Sequence, residues 1–310
     1  MTASAGRRLR VELAAQTPML LPGVHDALSA RQAERSGFAV GYLSGSATAM
    51  SLLGLPDLGV LAGSELVDQA RRITAASDLA LVCDADTGFG NAVNVAWTVR
   101  ALESAGAAGI QLEDQTFPKR CGHFNGKGVV SAEEMLQKIW AAADARRDDD
   151  FVIVARTDAR AVHDLDEAVE RGLRYAEAGA DVIFVEAPQS VDEMRTIAAS
   201  IDVPTLVNVV EGGKTPQLSL DEYAEMGYRI VLYPTAAVRT VARALGDLYG
   251  HLRRNGTTEG TPAELVTFDE RNQITGFASY EALASRAAEV ASTWVSEPTR
   301  SGRNQPAGTL

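Results

Sequence analysis

Acidic, cationic and thiol side chains recur in this sequence at spaced points, each just after a short apolar run. Asp84 and Asp86 follow LALVC (79–83), and Glu113 and Asp114 follow GIQL (109–112). Arg156, Thr157 and Asp158 follow FVIVA (151–155), and Glu186 follows VIFV (182–185). Asn208 and Glu211 come after PTLV (204–207), while Tyr42 and Ser44-Gly45-Ser46 close the run AVGYLS (39–44). Nothing apolar requires so many carboxylates, and unpaired they would repel one another. Asp84, Asp86 and Glu113 suit a hard cation held through oxygen and water, as Mg²⁺ is. Asp84 and Asp86 are two apart, so on one strand both would point to one side. The plainer reading of either aspartate is a helix cap or a chain turn.

Cys121 sits in Lys119-Arg120-Cys121-Gly122-His123. Two cations and a histidine beside a thiol favour its thiolate and make it a usable acid or nucleophile. An idle loop cysteine is the alternative. Cys83, inside LALVCD, reads as a small core residue. His25 precedes a helix and reads as a cap or surface residue, and His163 and His251 as surface positions. Histidines so dispersed make no metal motif. Gly212-Gly213-Lys214 lacks the upstream glycines of a phosphate loop.

Eight strands must carry these residues, at roughly 18–22, 39–44, 79–84, 109–113, 151–156, 182–186, 204–209 and 229–233. Their near-continuous apolar character suits parallel strands buried on both faces. Gly37, Gly106, Gly179 and Gly227 precede four of them, each where a helix should end in a left-handed cap. AGAAGIQLED (105–114) and AGADVIFVEA (178–187) read as one helix-to-strand connection used twice. Ser131 and Asp164 open capped helix starts. Strict strand–helix alternation means a parallel sheet, and eight units favour a closed (β/α)8 TIM barrel over an open sheet. Polar residues at the C-terminal strand ends then surround one mouth. The glycine-bearing loop from Asp114 to Val130 is long and reads as a lid. After a turn-rich stretch at 254–262 a helix is expected over about 278–295. The expected organisation is one catalytic domain over 1–300 and a disordered tail over 301–310.

The chain has 310 residues, 46% hydrophobic and 23% charged, with a net charge of −12. That is ordinary for a globular enzyme. It carries no basic patch for nucleic acid. A small anionic substrate would need local cations or a metal. The absence of a long apolar run excludes a membrane-spanning helix. The basic start lacks the apolar core of a signal peptide, and two cysteines make no disulfide framework, so a reduced, cytoplasmic compartment is expected.

Taken together, these motifs resemble the isocitrate lyase/phosphoenolpyruvate mutase superfamily. The resemblance runs from about Pro22 to Leu245. It rests on Pro22-Gly23-Val24-His25-Asp26-Ala27, Tyr42-Leu43-Ser44-Gly45, Leu53-Gly54-Leu55-Pro56-Asp57 and Asp84-Ala85-Asp86-Thr87-Gly88-Phe89-Gly90. It continues through Leu112-Glu113-Asp114-Gln115, the loop 119–123, Arg156-Thr157-Asp158-Ala159, Glu186-Ala187, Asn208 and Glu211-Gly212-Gly213-Lys214.

The resemblance implies a barrel whose last helix swaps onto a neighbour, in a homotetramer. It implies Mg²⁺, with Mn²⁺ as a substitute, on Asp84, Asp86 and Glu113. A 2-oxo-acid moiety would lie against Ser44, the backbone of Gly45 and Ser46, Asp57 and Arg156. Tyr42 would be the base and Cys121 the proton donor, with Lys119, Arg120 and His123 stabilising anions. Gly122, Glu186, Asn208, Glu211 and Arg239 complete the site. The Cys-Gly loop is similar to that of the methylisocitrate and 2,3-dimethylmalate lyases and of carboxyphosphonoenolpyruvate mutase. Phosphoenolpyruvate mutase proper generally has Asn-Ser there. The expected activity is cleavage of a carbon–carbon bond in a 2-hydroxy di- or tricarboxylate. Phosphonomutase chemistry, oxaloacetate hydrolysis or decarboxylation, and a barrel kept only for binding are the alternatives. Tricarboxylate lyases resemble Asn-x-Thr-Glu after strand seven, where this sequence has Asn208-Val209-Val210-Glu211. That favours a dicarboxylate, although Arg239 could meet a distal carboxylate.

Overall fold

A computed structural model describes residues 3–122, 126–262 and 264–296. Eight parallel strands close on themselves in sequence order. They are β1 (Met19–Val24), β2 (Val40–Leu43), β3 (Ala80–Asp84), β4 (Gly109–Glu113), β5 (Val152–Thr157), β6 (Val182–Val185), β7 (Thr205–Asn208) and β8 (Ile230–Tyr233). Closure comes from β8 pairing back to β1, with Met19 opposite Ile230 and Pro22 opposite Tyr233. The expected strands and barrel are all present, with ends shifted by a residue or two.

Helices α1 (Ala5–Leu13) and α2 (Ala27–Arg35) flank the first strand. A short α3 (Gly45–Thr48) runs into a five-residue π-helix, Ala49–Leu53. Then come α4 (Gly63–Ala76), α5 (Ala92–Ser104), α6 (Ala132–Ala145), α7 (Ala159–Val162) and α8 (Leu165–Glu177). The barrel ends with α9 (Val191–Ser200), α10 (Leu220–Met226) and α11 (Ala236–Asn255). Ser131 and Asp164 cap α6 and α8 as expected, accepting from the backbone N–H of Glu134 and Glu167. Gly37, Gly106, Gly179 and Gly227 all have φ between +88° and +111°.

Period-two alternation sorts every strand into two faces. Val40, Tyr42, Val82, Val154, Phe184, Leu206 and Leu232 fill the barrel interior. Leu43, Leu81, Cys83, Ile110, Leu112, Ile153 and Ile183 face the helices. The next inward positions on the same strands are Asp84, Arg156, Glu186 and Asn208, two residues beyond Val82, Val154, Phe184 and Leu206. The polar rim is thus the top row of the interior, and apolar rows beneath it hold it in place. At the other end Leu9 of α1 joins the interior cluster and closes the barrel floor. Gly6 makes this closure fit, because a Cβ there would stand 2.6 Å from the Asp150 carbonyl. The sequence pattern misses α1 because its buried face is only Gly6 and Leu9.

The chain divides into two compact units, Met1–Pro262 and Ala263–Leu310. The described part of the second contains α12 (Phe268–Thr275), capped by Thr267, and α13 (Phe277–Ser296), which fulfils the expected C-terminal helix. The expected tail at 301–310 lies outside the described residues, as does His123. Among the described residues no helix is long and apolar enough to cross a membrane.

Candidate active site

The C-terminal mouth of the barrel opens into a cavity of about 420 Å³, a size that suits a small ligand. Tyr42, Ser44, Ser46, Asp57 and Asp84 line one side. Lys119, Arg120, Cys121 and Gly122 come from the β4–α6 loop, and Arg156, Glu186 and Asn208 from the ends of β5, β6 and β7. Glu211 and Arg239 line the far wall with the apolar Val210, Leu232 and Val238. Gly45, Asp86 and Glu113 stand just behind this lining. Gly45 donates its N–H to Asp84 Oδ2 at 3.2 Å, and Ser44 caps α3 through the Ala47 N–H.

Asp84 and Asp86 do not share a strand face, contrary to the sequence expectation. β3 ends at Asp84, and Asp86 turns back with φ +48°, a left-handed conformation. Such conformations strain a residue with a side chain and recur at functional sites. The turn keeps the two carboxylates adjacent: a Cβ on Gly45 would lie 3.1 Å from Asp84 Oδ2 and 3.3 Å from Asp86 Oδ1. Lys119 reaches in from the loop, with Nζ 2.5 Å from Asp57 Oδ1 and 2.8 Å from Asp86 Oδ1. Burial alone would lower the Lys119 pKa, but Asp86, Glu113, Asp84 and Asp57 outweigh it and raise it well above its ordinary value.

No three His, Cys, Asp or Glu side chains among the described residues converge into a direct metal-ligand set. The expected three-carboxylate convergence is therefore looser than a protein cage. The donor chemistry still suits Mg²⁺, which keeps several waters and needs only one or two carboxylates. Among the described residues, Glu113 Oε1 is buried with no hydrogen-bond partner, and Asp86 Oδ1 lies 2.8 Å from Lys119 Nζ. Burial, offset only in part by Arg156 and Lys119, pushes the Glu113 carboxyl well up. Buried carboxylates with spare lone pairs are the groups a divalent cation would satisfy.

Arg156 is the hub of the opposite side. Its guanidinium faces Asp158 at 2.9 Å, Glu113 at 3.4 Å and Glu186 at 3.6 Å, and stacks 5.1 Å over Phe184. Burial would raise the Asp158 carboxyl, but Arg156 and Lys127 outweigh it and hold it at about 2. Asp114 lies beneath, accepting from the Asp158 backbone N–H, the Thr157 and Tyr175 hydroxyls and Arg171. The sequence assigns Lys127 no role, and Asp158 and Gln115 only a place within the motifs at 156–159 and 112–115. Asp158 was visible at a strand end, but a buried lysine arriving from a loop leaves no local pattern. Gln115 pins the loop by bonding both the N–H and the carbonyl of Arg120.

Cys121 is partly buried at the cavity wall and Cys83 fully buried outside the barrel, and neither forms a disulfide. Next to Cys121, Gly122 packs directly on the Arg156–Glu186 pair, so closely that a Cβ would collide with both side chains. A larger residue here would have to displace the buried ends of Arg156 and Glu186. Tyr42 is 3% exposed. Burial, reinforced by Asp84, raises its pKa well above the ordinary value. His25 is buried but lines a different cavity.

A family model described as phosphoenolpyruvate phosphomutase matches residues 9–252. The 2,3-dimethylmalate lyase of Eubacterium barkeri is 48% identical over 269 residues, covering 87% of this chain and 93% of that one. An oxaloacetate acetylhydrolase solved with 3,3-difluorooxalacetate superposes with a TM-score of 0.87 at 35% identity, covering 92% of this chain and 97% of that one. A phosphonopyruvate hydrolase solved with oxalate and Mg²⁺ gives 0.83 at 34% identity, covering 92% and 99%. Barrel, rim and relatives agree, and the chain belongs to the phosphoenolpyruvate mutase/isocitrate lyase superfamily.

Proposed function

We propose that this protein is a divalent-metal-dependent carbon–carbon lyase that splits a 2-hydroxy dicarboxylate of the 2-alkylmalate type into a 2-oxo acid and a carboxylate. The observation that carries the reading is the packing of Gly122 on Arg156 and Glu186, which brings the Cys121 segment over the charged rim. Asp84, Asp86 and Glu113 would hold Mg²⁺ or Mn²⁺, which supplies positive charge for the oxygens of the 2-oxo acid as it forms.

The chain's own groups divide the remaining work. Arg156 and the Ser44–Ser46 turn bind and orient the 2-oxo-acid half, with Asp57 holding Lys119 beside it. The 2-hydroxyl proton must leave to a base. Asp57 is paired with Lys119 and Glu211 with Arg239, while Asp84 accepts from Gly45. Glu186 stands at the cavity wall, where it faces Arg156 at 3.6 Å and accepts from the Asn208 side-chain amide at 3.3 Å, and is the carboxylate we assign to this proton. As the O–H bond breaks, its electrons form the carbonyl, and the C2–C3 pair passes onto C3 beside the departing carboxylate. The Cys121 thiol protonates that carbon, and Lys119, Arg120 and His123 balance the anions. The neutral phenol of Tyr42 serves as a hydrogen-bond donor.

Pyruvate or another 2-oxo acid released from a panel of C4 to C7 hydroxy acids tests the reading. Oxaloacetate belongs in the panel, because the 0.87 superposition on an oxaloacetate acetylhydrolase favours oxaloacetate hydrolysis as the second activity. A carbon–phosphorus product from a phosphonate precursor would move the assignment to a mutase. α13 leaves Phe277, Tyr280, Leu283 and Val290 between 47% and 64% exposed. That supports a homotetramer in which a neighbouring copy covers them, measurable as four chain masses by light scattering.

A further inference from the structure

The loop that carries Cys121 returns to the barrel through Lys127. Its side chain is 2% exposed and that of Asp158 is fully buried. Lys127 Nζ donates at 2.5 Å to the Gly122 carbonyl and at 2.5 Å to Asp158 Oδ1. The same Oδ1 accepts from Arg156 Nη2 at 3.1 Å, and Oδ2 accepts from Arg156 Nε at 2.9 Å. Asp158 is itself fixed from below, where its backbone N–H donates to Asp114 Oδ1 at 2.9 Å. Lys127 does not line the cavity.

We propose that Lys127 is a positioning residue, clamping the Gly122 backbone onto the Arg156–Glu186 pair and holding Asp158 as the anvil that aims Arg156. Two arguments carry this. The first is charge. Arg156 faces three carboxylates, Asp158, Glu113 and Glu186, and one guanidinium cannot neutralise all three and still attract a substrate carboxylate. Lys127 supplies the second cation to Asp158, which leaves part of the Arg156 charge for the ligand. The second is geometry. Gly122 contacts the Arg156–Glu186 pair on one side and is tied through its carbonyl on the other. Held from both sides, the peptide next to Cys121 has a defined height above the rim. A misplacement of about 1 Å at such a point costs on the order of a hundredfold in rate. Lysine suits the place because its compact ammonium has three donors and a long stem, enough to serve two acceptors at once.

The role rests on the lyase reading only in naming Cys121 and Arg156 as the reacting pair, so its test has an arm that needs no substrate. Lys127→Met and Lys127→Arg are prepared in the full chain, with thermal melts to establish folding. Iodoacetamide labelling of Cys121 is followed by mass spectrometry, with buried Cys83 as the internal reference. Steady-state turnover of 2,3-dimethylmalate is followed in parallel. Lys127→Met should label at a rate several-fold different from the unmodified protein. Its kcat should fall on the order of a hundredfold with KM little changed, and Lys127→Arg should recover most of both. A Lys127→Met protein with unaltered labelling overturns the proposal. So does a loss confined to KM, which would mean direct substrate contact. If neither protein turns over any acid of the panel, the lyase reading fails, and the labelling rates alone decide the role of Lys127. Should Lys127→Met not fold, labelling of Lys127→Arg at the rate of unfolded protein also overturns it, and native-like labelling upholds it.

Discussion

Arg239 of α11 donates from Nη1 to both the backbone carbonyl and the carboxylate of Glu211, at 3.0 and 2.9 Å. The guanidinium available to a distal carboxylate therefore already has a partner across the cavity wall. The two side chains are 50% and 40% exposed, so the pair is a weak contributor to stability. Its effect is on recognition. A third carboxylate must compete with Glu211 for Arg239 while Val210 beside it offers no hydrogen bond. The expected outcome is a higher kcat/KM for 2,3-dimethylmalate than for methylisocitrate. Val210→Thr should narrow the gap by about tenfold. Efficient methylisocitrate cleavage by the unmodified protein would refute this.

The strands, the alternation and the rim carboxylates are legible in the sequence because each is a local signal. An apolar run, a capping glycine and a polar residue at the strand end lie within about ten residues of one another. What escapes is long in sequence and short in space. Lys127 meets Asp158 across 31 residues, and Arg239 meets Glu211 across 28. Asp86 escapes for another reason. Spacing of two suggests one strand face, but the ladder stops at Asp84 and the next turn adopts a left-handed conformation that aspartate enters at a cost. Tyr42 stands at the rim as expected, and burial there raises its pKa well above the ordinary value.

Dependence on a divalent cation is expected from the buried Glu113 carboxylate, whose Oε1 has no hydrogen-bond partner among the described residues, beside Asp84 and Asp86. Chelation should abolish turnover, and Mg²⁺ or Mn²⁺ should restore it. Asp84→Ala should remain folded and stay inactive after the cation is added back. Full turnover in excess chelator would remove the metal from the mechanism.

Acid stability should depend on Asp158. Its folded carboxyl lies at about 2, below the ordinary value, because Arg156 and Lys127 outweigh burial. A depressed carboxylate contributes its stability above the unfolded value of about 4 and loses it as the pH falls through the folded value. The contribution is on the order of 2 kcal/mol. Urea unfolding of the unmodified protein should therefore grow markedly easier between about pH 4 and pH 2. Asp158→Asn should start less stable and show a flatter slope over that window. An unchanged slope would mean that the Asp158 charge is not what the acid removes.

The two cysteines should separate cleanly. Cys121 lies at the cavity wall beside the peptide that touches Arg156, whereas Cys83 lies wholly within apolar neighbours on the outer face of β3. Burial, with Asp84 adding to it, raises the Cys83 thiol far above its ordinary value, so it stays protonated and unreactive. Cys121→Ser should keep the melting temperature and metal binding but lose most turnover, since a hydroxyl is a far weaker acid than a thiol. Cys83→Ser should do the opposite. It buries a hydroxyl among Leu43, Leu81 and Ile110 and should cost roughly 1–3 kcal/mol of stability while kcat holds. Thermal melts and steady-state kinetics on both variants decide the matter. Turnover that survives complete alkylation of Cys121 would end its candidacy as the proton donor.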